Sequence, residues 1–186
     1  IERIKELVLH VPLSVQSEMT ACTAVLALSE DLKPQLLDMG ICEVLLPLTD
    51  SPSIEVQGNS AAALGNLSSK ADDYAPFNAV WDKPAGGIHG YLVRFLESDD
   101  TTFQHIAVWT LIQLLESGNA ELEQHIRDSP HLLALVRQLQ NRGDADDEHD
   151  ENDAGDSQAD TTPEKEIAAL SRRTEEILFE SSRADS

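Results

Sequence analysis

The fold is decided by one stretch, Val56-Gln-Gly-Asn-Ser-Ala-Ala-Ala-Leu-Gly-Asn-Leu67, and by its return 47 positions later as Phe103-Gln-His-Ile-Ala-Val-Trp-Thr-Leu-Ile-Gln-Leu114. A looser copy, Ala21-Cys-Thr-Ala-Val-Leu-Ala-Leu28, lies 39 positions before Ser60 to Leu67. Self-similarity at this spacing is typical of a solenoid, because one unit cannot bury its apolar face alone and stacks on its neighbours. The repeats therefore predict a protein that binds partners along an extended surface.

The composition favours packed helices. The 186 residues are 41% hydrophobic but only 4% aromatic, so the core must be aliphatic. A β-sandwich would need more aromatic and β-branched residues. The repeats and the composition together predict an all-α chain.

The charge is strongly negative and unevenly spread. The formal net charge is −21, and residues 141–162 alone carry nine acidic side chains and one basic side chain. Phosphate backbones are bound by clustered Lys and Arg, so the composition argues against nucleic acid as a partner. A positively charged or polar protein segment is the partner that such a surface favours.

Each unit is predicted to contain three helices. In one unit the pattern indicates a short helix, a glycine break, a second helix, a turn and a long third helix: Leu32–Leu37, Gly40, Ile41–Leu48, Asp50–Ser53 and about Ile54–Leu67. Gly40 suits a left-handed C-cap, and Ser51 or Ser53 suits the N-cap of the third helix. A preceding long helix, about Val15 to Leu28, is expected to present an apolar face formed by Met19, Cys22, Val25 and Leu26.

The next unit contains an insertion. Leu28 to Gly40 is 12 positions, whereas Leu67 to Gly87 is 20, and the additional residues bring Tyr74, Phe77 and Trp81. Such a segment could form a binding lip or a plug over a gap in the core. We favour the plug, because large aromatic side chains gain most from burial.

The sequence predicts three consecutive segments, of which two lie in the C-terminal part of the chain. Residues 1–140 are expected to be the repeats, truncated on their N-terminal side, and residues 141–162 an acidic disordered loop with no apolar period. Residues 163–186 are expected to form a terminal capping helix and tail, with Thr161 or Thr162 as N-cap. The alternative is a free amphipathic helix that reaches a partner or the chain's own binding groove.

The order helix, Gly, helix, turn and long helix, with Ser60-Ala-Ala-Ala-Leu-Gly-Asn-Leu-Ser68 in the third helix, resembles an armadillo repeat over residues 1–140. The resemblance implies an armadillo-repeat right-handed superhelical solenoid. Within that superfamily, the segment Phe103–Ser117, the Trp81 insertion and the acidic segment before a terminal helix resemble the C-terminal repeats of the fungal vacuolar protein 8 family.

That family resemblance implies a non-catalytic adaptor on the cytosolic face of the vacuole membrane, anchored by N-terminal lipidation outside this sequence. It implies protein partners at nucleus–vacuole contacts, in selective autophagy (cytoplasm-to-vacuole targeting) and in vacuole inheritance. These partners are an outer-nuclear-membrane junction protein, an autophagy scaffold and a myosin adaptor, each bound as an extended segment in the superhelical groove.

The groove of armadillo repeats is lined by third helices, on which a Trp and an Asn four residues apart form the usual ladder. The matching pairs here are Ala62 with Asn66, Trp109 with Gln113, and Thr23 with Ala27, and Met19, Asn59 and His105 extend the same faces. The partner-binding prediction is therefore the set Met19, Thr23, Asn59, Ala62, Asn66, His105, Trp109 and Gln113. Two alternatives remain: Trp109 could be buried between third helices, and Asn66 could be a structural amide that joins two repeats.

No motif for catalysis, a metal or a cofactor is visible. The six His residues lack metal-ligand spacing with Cys or carboxylates, and no phosphate loop or nucleophile elbow is present. Cys22 and Cys42 are expected to be reduced, buried thiols. Besides the vacuolar adaptor, two other functions remain open: a nuclear-import or catenin-like adaptor for basic peptides, and a structural role through self-association.

Overall fold

The computed structural model describes residues 7–150 and 162–184, with side chains described for residues 7–142, 162–180 and 183. In this part of the chain no strand is found, and residues 7–10 are helical ahead of ten further helices. Their bounds are α1, Leu13–Leu26; α2, Lys33–Asp38; α3, Ile41–Leu48; α4, Ile54–Ser68; α5, Ala75–Ala79; α6, Gly87–Leu96; α7, Thr101–Glu116; α8, Ala120–Arg127; α9, Pro130–Asp150; and α10, Pro163–Ala184.

The helices form two layers of a solenoid. In one layer α1, α4, α7 and α10 pack side by side, and in the other α3 packs against α6 and α6 against α9. Within each unit the second helix packs on the third, as α3 does on α4 and α6 on α7. The predicted all-α solenoid of three-helix units is confirmed, and the third helices form one continuous layer.

Helix α10 occupies the third-helix position of a last unit. It packs against α7 and α9, just as α7 packs against α4 and α6. Its N-cap is Thr162, whose Oγ1 accepts a hydrogen bond from the backbone N–H of Lys165 at 3.4 Å. Thr161 and the rest of residues 151–161 lie outside the described residues, so the disordered loop stays a prediction there.

Helix α9 differs from the predicted boundary. It continues through Asp150, whereas the sequence pattern placed the end of ordered structure near residue 140. That boundary was predicted because apolar residues no longer recur at helical spacing after residue 140. A helix end needs no apolar face of its own when the preceding turns are already packed.

Local chemistry sets the helix boundaries in each unit. Gly40 has φ 69° between α2 and α3, which confirms the predicted left-handed cap. Ser53 is the N-cap of α4 and accepts from the N–H of Val56, and Asp100 takes the same place before α7. At Gly87, φ is 63° and a Cβ atom would lie 2.2 Å from the backbone oxygen of Trp81, so only glycine fits there.

The aromatic insertion is packed into the core. The side chains of Phe77 and Trp81 are buried, and the Tyr74 hydroxyl donates to the carbonyl of Ser68 at 2.8 Å. The Trp81 ring stacks on His125 of α8, with centroids 5.1 Å apart and an interplanar angle of 11°. The insertion therefore fits the plug interpretation and links two successive units.

The apolar face predicted for α1 is wrong. Met19, Cys22, Val25 and Leu26 are all exposed, and the side chains of α1 that are buried are Gln16 and Thr20. The main packing partner of α1 is α4, and the side that carries Gln16 and Thr20 is the buried one. Cys22 is therefore an exposed thiol and not a buried one, whereas Cys42 is buried as predicted.

Candidate functional site

The eight predicted groove residues lie on α1, α4 and α7, the helices of the third-helix layer. We call the outward side of these three helices the third-helix face. Met19 is 39% exposed, and the other seven side chains are half-buried. Partial exposure is what a groove-lining residue requires, so burial alone does not separate groove residues from structural ones. The contacts of each side chain distinguish groove-lining residues from structural ones.

The two asparagines on α4 are used to join repeats. Asn66 Nδ2 donates to the carbonyl oxygen of Ala24 at 2.9 Å, and Asn59 Nδ2 donates to that of Ser17 at 3.3 Å. Both acceptors lie on α1, so the amides bridge two third helices. The structure thus has Asn66 in the structural role that the sequence left open as an alternative.

Trp109 is part of the packing between α4 and α7. A Cβ atom added at Gly65 would lie 2.7 Å from Trp109 Cζ3 and 2.8 Å from the hydroxyl oxygen of Thr110. About two helical turns earlier, a Cβ atom added at Gly58 would lie 3.5 Å from Phe103 Cε1, which is an ordinary contact distance. The glycines of α4 let α7 approach closely, and the indole fills the space where a side chain at position 65 would lie.

A smaller group of predicted residues remains available to a partner. The Thr23 hydroxyl donates to the carbonyl of Met19 in its own helix, so Thr23 presents mainly its methyl group. Ala62 adds a small apolar surface on α4. Among the described residues, no hydrogen bond to the Gln113 amide is found, which leaves both its donor and its acceptor for a ligand.

The C-terminal end of the third-helix face is charged and adjoins α10. His105 Nε2 lies 3.2 Å from Glu166 Oε1, and Arg173 Nη2 lies 3.4 Å from Glu116 Oε1. Sequence reasoning did not include these three charged partners of the face, because their proximity depends on the docking of α10 across an intervening acidic segment. The i, i+3 spacing of Gln113 and Glu116 was the one signal that could have added Glu116.

Burial shifts the pKa values of a thiol and of an ammonium group in the described residues. Burial raises the pKa of the Cys42 thiol to about 12, so it is neutral and inert at neutral pH. Burial also lowers the pKa of Lys33, whose ammonium group donates to the carbonyl of Ser69. No cluster of three or more His, Cys, Asp or Glu side chains able to hold a metal ion is found in that part of the chain.

Comparison with known proteins agrees with this geometry. The family model for the armadillo/β-catenin-like repeat matches residues 29–69, which contain α2, α3 and α4. The chain is an armadillo-repeat protein. Its fold is also that of a crystal structure of an engineered protein, with a TM-score of 0.66 over 97% of this chain and 67% of the other, at 23% sequence identity.

Several fungal relatives are similar over most of the sequence. The chain is 55% identical over 178 residues to vacuolar protein 8 of Aspergillus oryzae and 59% identical over 156 residues to that of Schizosaccharomyces pombe. These matches cover 96% and 84% of this chain, and 29% and 28% of the relatives. Vacuolar protein 8 of Saccharomyces cerevisiae is 47% identical over 139 residues, which is 75% of this chain and 24% of the relative. The chain therefore spans less than a third of the length of these relatives.

Proposed function

We propose that this chain is part of a non-catalytic protein-binding scaffold on the cytosolic face of the vacuole membrane. The proposal rests on the similarity to fungal vacuolar protein 8 and on the armadillo fold. Its partners are extended segments of an outer-nuclear-membrane junction protein, an autophagy scaffold and a myosin adaptor. The processes are nucleus–vacuole contact, selective autophagy and vacuole inheritance.

Membrane attachment is proposed to come from N-terminal lipidation outside residues 1–186. In the described residues, no helix combines the length and the apolar character that crossing a bilayer requires. In this proposal the described residues supply the partner surface, and the lipidated part of the scaffold supplies the anchor.

The observation that carries the binding proposal is the open amide of Gln113 on α7, in the same helix layer as an apolar strip on α1 and α4. Met19 and Ala62 line the strip, and the Gln113 amide can donate to and accept from the backbone of an extended peptide. The amides of Asn59 and Asn66 each use one Nδ2 hydrogen in a bond to α1, which fixes their orientation and makes them less free than Gln113 to follow a peptide backbone. We therefore place the partner segment over Met19, Thr23, Ala62 and Gln113.

Fluorescence polarisation with labelled cytosolic segments of the three partner classes tests this placement. Gln113→Ala and Met19→Glu are expected to weaken binding by about tenfold each, because each removes a central contact of the partner segment. Gln35→Ala is the matched control, since Gln35 is exposed on α2 and lies outside the third-helix face. Unchanged affinity in both face variants, or an equal loss in the control, would contradict the placement.

The second candidate is an adaptor for basic peptides, as in nuclear import or catenin-like assemblies. The net charge of −21 and the carboxylates of Glu116 and Glu166 at the end of the face favour it. Preference for Lys- and Arg-rich peptides that is lost as salt rises would support this candidate over the first. The engagement of Trp109 with Gly65 and of Asn66 with Ala24 counts against it, because the ladder of free Trp and Asn side chains is missing.

A further inference from the structure

Three of the eight prolines in the chain follow a hydroxyl residue, in the pairs Ser51-Pro52, Ser129-Pro130 and Thr162-Pro163. Such a pair is the pattern that proline-directed protein kinases phosphorylate. Proline has no backbone N–H, so a substrate pocket without an acceptor at that position accepts proline and disfavours other residues. The sequence alone does not distinguish the three pairs, whereas the structure does.

The three hydroxyl groups differ in exposure and in hydrogen bonding. Ser51 is buried, with 6% of its surface exposed. Ser129 is half-buried, and its hydroxyl donates to the carbonyl oxygen of His125 at 2.8 Å. Thr162 is exposed, and its Oγ1 accepts a long hydrogen bond, at 3.4 Å, from the N–H of Lys165. A kinase can reach a hydroxyl only if it is open to solvent, so Thr162 is the accessible member of the three.

The backbone around Thr162 can also open without uncovering the core. A kinase aligns the hydroxyl with the phosphate of ATP on an extended stretch of substrate, so the first turn of α10 must unwind. Pro163 and Glu164 are exposed, and the first buried side chain of α10 is Ile167, five positions after Thr162. At the second pair, Leu132 is fully buried only three positions after the serine, so the same opening would expose a core side chain.

We propose that Thr162 is a phosphorylation site for a proline-directed protein kinase and that the phosphate strengthens the start of α10. In the reaction, Thr162 Oγ1 attacks the γ-phosphorus of ATP, and an oxygen–phosphorus bond forms. The bond from that phosphorus to the bridging oxygen breaks, ADP leaves, and the hydroxyl proton passes to the catalytic carboxylate of the kinase. The product carries three strong acceptor oxygens and a charge of about −1.5 to −2 at neutral pH.

The phosphate acts on α10 through the charge at the start of the helix. The N–H of Lys165, now 3.4 Å from Thr162 Oγ1, gains a charged acceptor, and the positive end of the helix favours the added negative charge. Arg142 lines the same cavity as Glu164, so a cation lies near this end of α10. The carboxylates of Glu164 and Glu166 oppose the phosphate, but both are exposed and their repulsion is screened by water and salt. The net effect is firmer docking of the first turns of α10 on α7.

Incubation of the 186-residue chain with ATP and a recombinant proline-directed kinase tests the site, and phosphopeptide mass spectrometry locates the phosphate. A short Ser-Pro peptide confirms that the kinase is active. Thr162 is expected to be modified at least about tenfold faster than Ser129 or Ser51, because its first turn opens most easily. Thr162→Ala should abolish this incorporation, and Pro163→Ala, which keeps the hydroxyl, should reduce it by at least about tenfold. Ser129→Ala is the matched control and should leave the modification of Thr162 unchanged.

Amide hydrogen exchange of the phosphorylated chain measures the effect on α10. The amides of its first two turns are expected to exchange about two- to fivefold more slowly than in the unmodified chain. Three results would overturn the proposal: no phosphate on Thr162, equal incorporation at Ser129, or exchange in α10 that phosphorylation does not slow. Neither measurement involves a partner segment, so failure of the groove proposal and failure of this one are separable.

Discussion

The indole of Trp109 lies against Gly65 so closely that a Cβ atom at position 65 would be 2.7 Å from Trp109 Cζ3. This contact joins the third helices of two successive units, α4 and α7. Trp109 therefore has a packing role, although the repeat pattern predicted that it lines the groove.

Gly65→Ala is expected to destabilise the fold by about 1–2 kcal/mol. The added methyl group would overlap the indole and the Thr110 hydroxyl, and overpacking costs about 1–3 kcal/mol, partly offset by the better helix propensity of Ala. Gly58→Ala is the matched control on the same helix, since its Cβ would meet Phe103 at 3.5 Å. That variant is expected to gain up to about 1 kcal/mol. Urea unfolding measures both, and equal effects would contradict the role of Trp109.

Asn66→Ala is expected to lower the free energy of unfolding by about 1 kcal/mol, whereas Gln113→Ala is expected to leave it unchanged. The two residues occupy aligned positions, but the Asn66 amide donates to Ala24 and the Gln113 amide has no such bond in the described residues. Chemical denaturation of the two variants measures the difference. A comparable loss in both would mean that the open amide of Gln113 has been misassigned.

Sequence periodicity and turn residues were sufficient to predict the helices and their caps. The second helix Ile41–Leu48, the N-cap at Ser53 and the left-handed Gly40 follow from local chemistry, because apolar spacing, turn residues and glycine act within a few positions. Burial of the insertion around Trp81 also followed from the type of residue, since large aromatic side chains are seldom left in water.

The candidate site could be predicted less completely, because it depends on which helices meet. The apolar spacing on α1 favoured burial of its apolar side, but the side that is buried carries Gln16 and Thr20, so Cys22 was expected to be buried and is exposed. The sequence alone does not distinguish an Asn66 amide that binds a peptide from one that binds a neighbouring helix. The docking of α10 on α7, which brings Glu166 to His105, joins residues 61 positions apart across a segment without apolar pattern.

The stability of the chain is expected to fall above about pH 9 through Cys42. Burial holds the pKa of this thiol at about 12 in the folded state, above its ordinary value of 9.0, so only the unfolded state releases the proton between these values. The contribution is complete below pH 9 and is lost as the pH rises toward 12. At pH 10 the parent chain should lose about 1.4 kcal/mol more than Cys42→Val, relative to pH 7.5 for each.

Urea titrations of the parent chain and Cys42→Val at both pH values give this difference, in which Lys and Tyr titration cancels. Thiol labelling of the folded chain at pH 7.5 provides an independent check. The exposed Cys22 should react promptly with an aromatic disulfide reagent, and Cys42 should react only on unfolding. Parallel pH profiles for the two chains, or rapid labelling of both thiols, would refute the prediction.

Arg127 is expected to control how firmly the C-terminal half of α10 is held. Its Nη2 atom donates to Glu123 Oε1 and to the carbonyl oxygen of Leu178, both at 2.6 Å, so it links α8 to α10. Arg127→Met keeps an unbranched apolar stem but removes the guanidinium and its hydrogen bonds, including the one from Nε to Glu123 Oε1. The carbonyl of Leu178 then loses a charged donor in a half-buried site. We expect a loss of about 1–3 kcal/mol in the free energy of unfolding and faster amide hydrogen exchange in α10 beyond residue 174.

Arg173→Met is the matched control for Arg127→Met. Arg173 makes two exposed ion pairs, with Glu116 at 3.4 Å and with Glu176 at 3.6 Å, and such pairs contribute at most about 1 kcal/mol. It should therefore change the stability and the exchange rates less than Arg127→Met does. Unaltered exchange in α10 on loss of Arg127 would show that the apolar contacts of Ile167, Ala168 and Ile177 hold the helix without this link, since these are its buried apolar side chains.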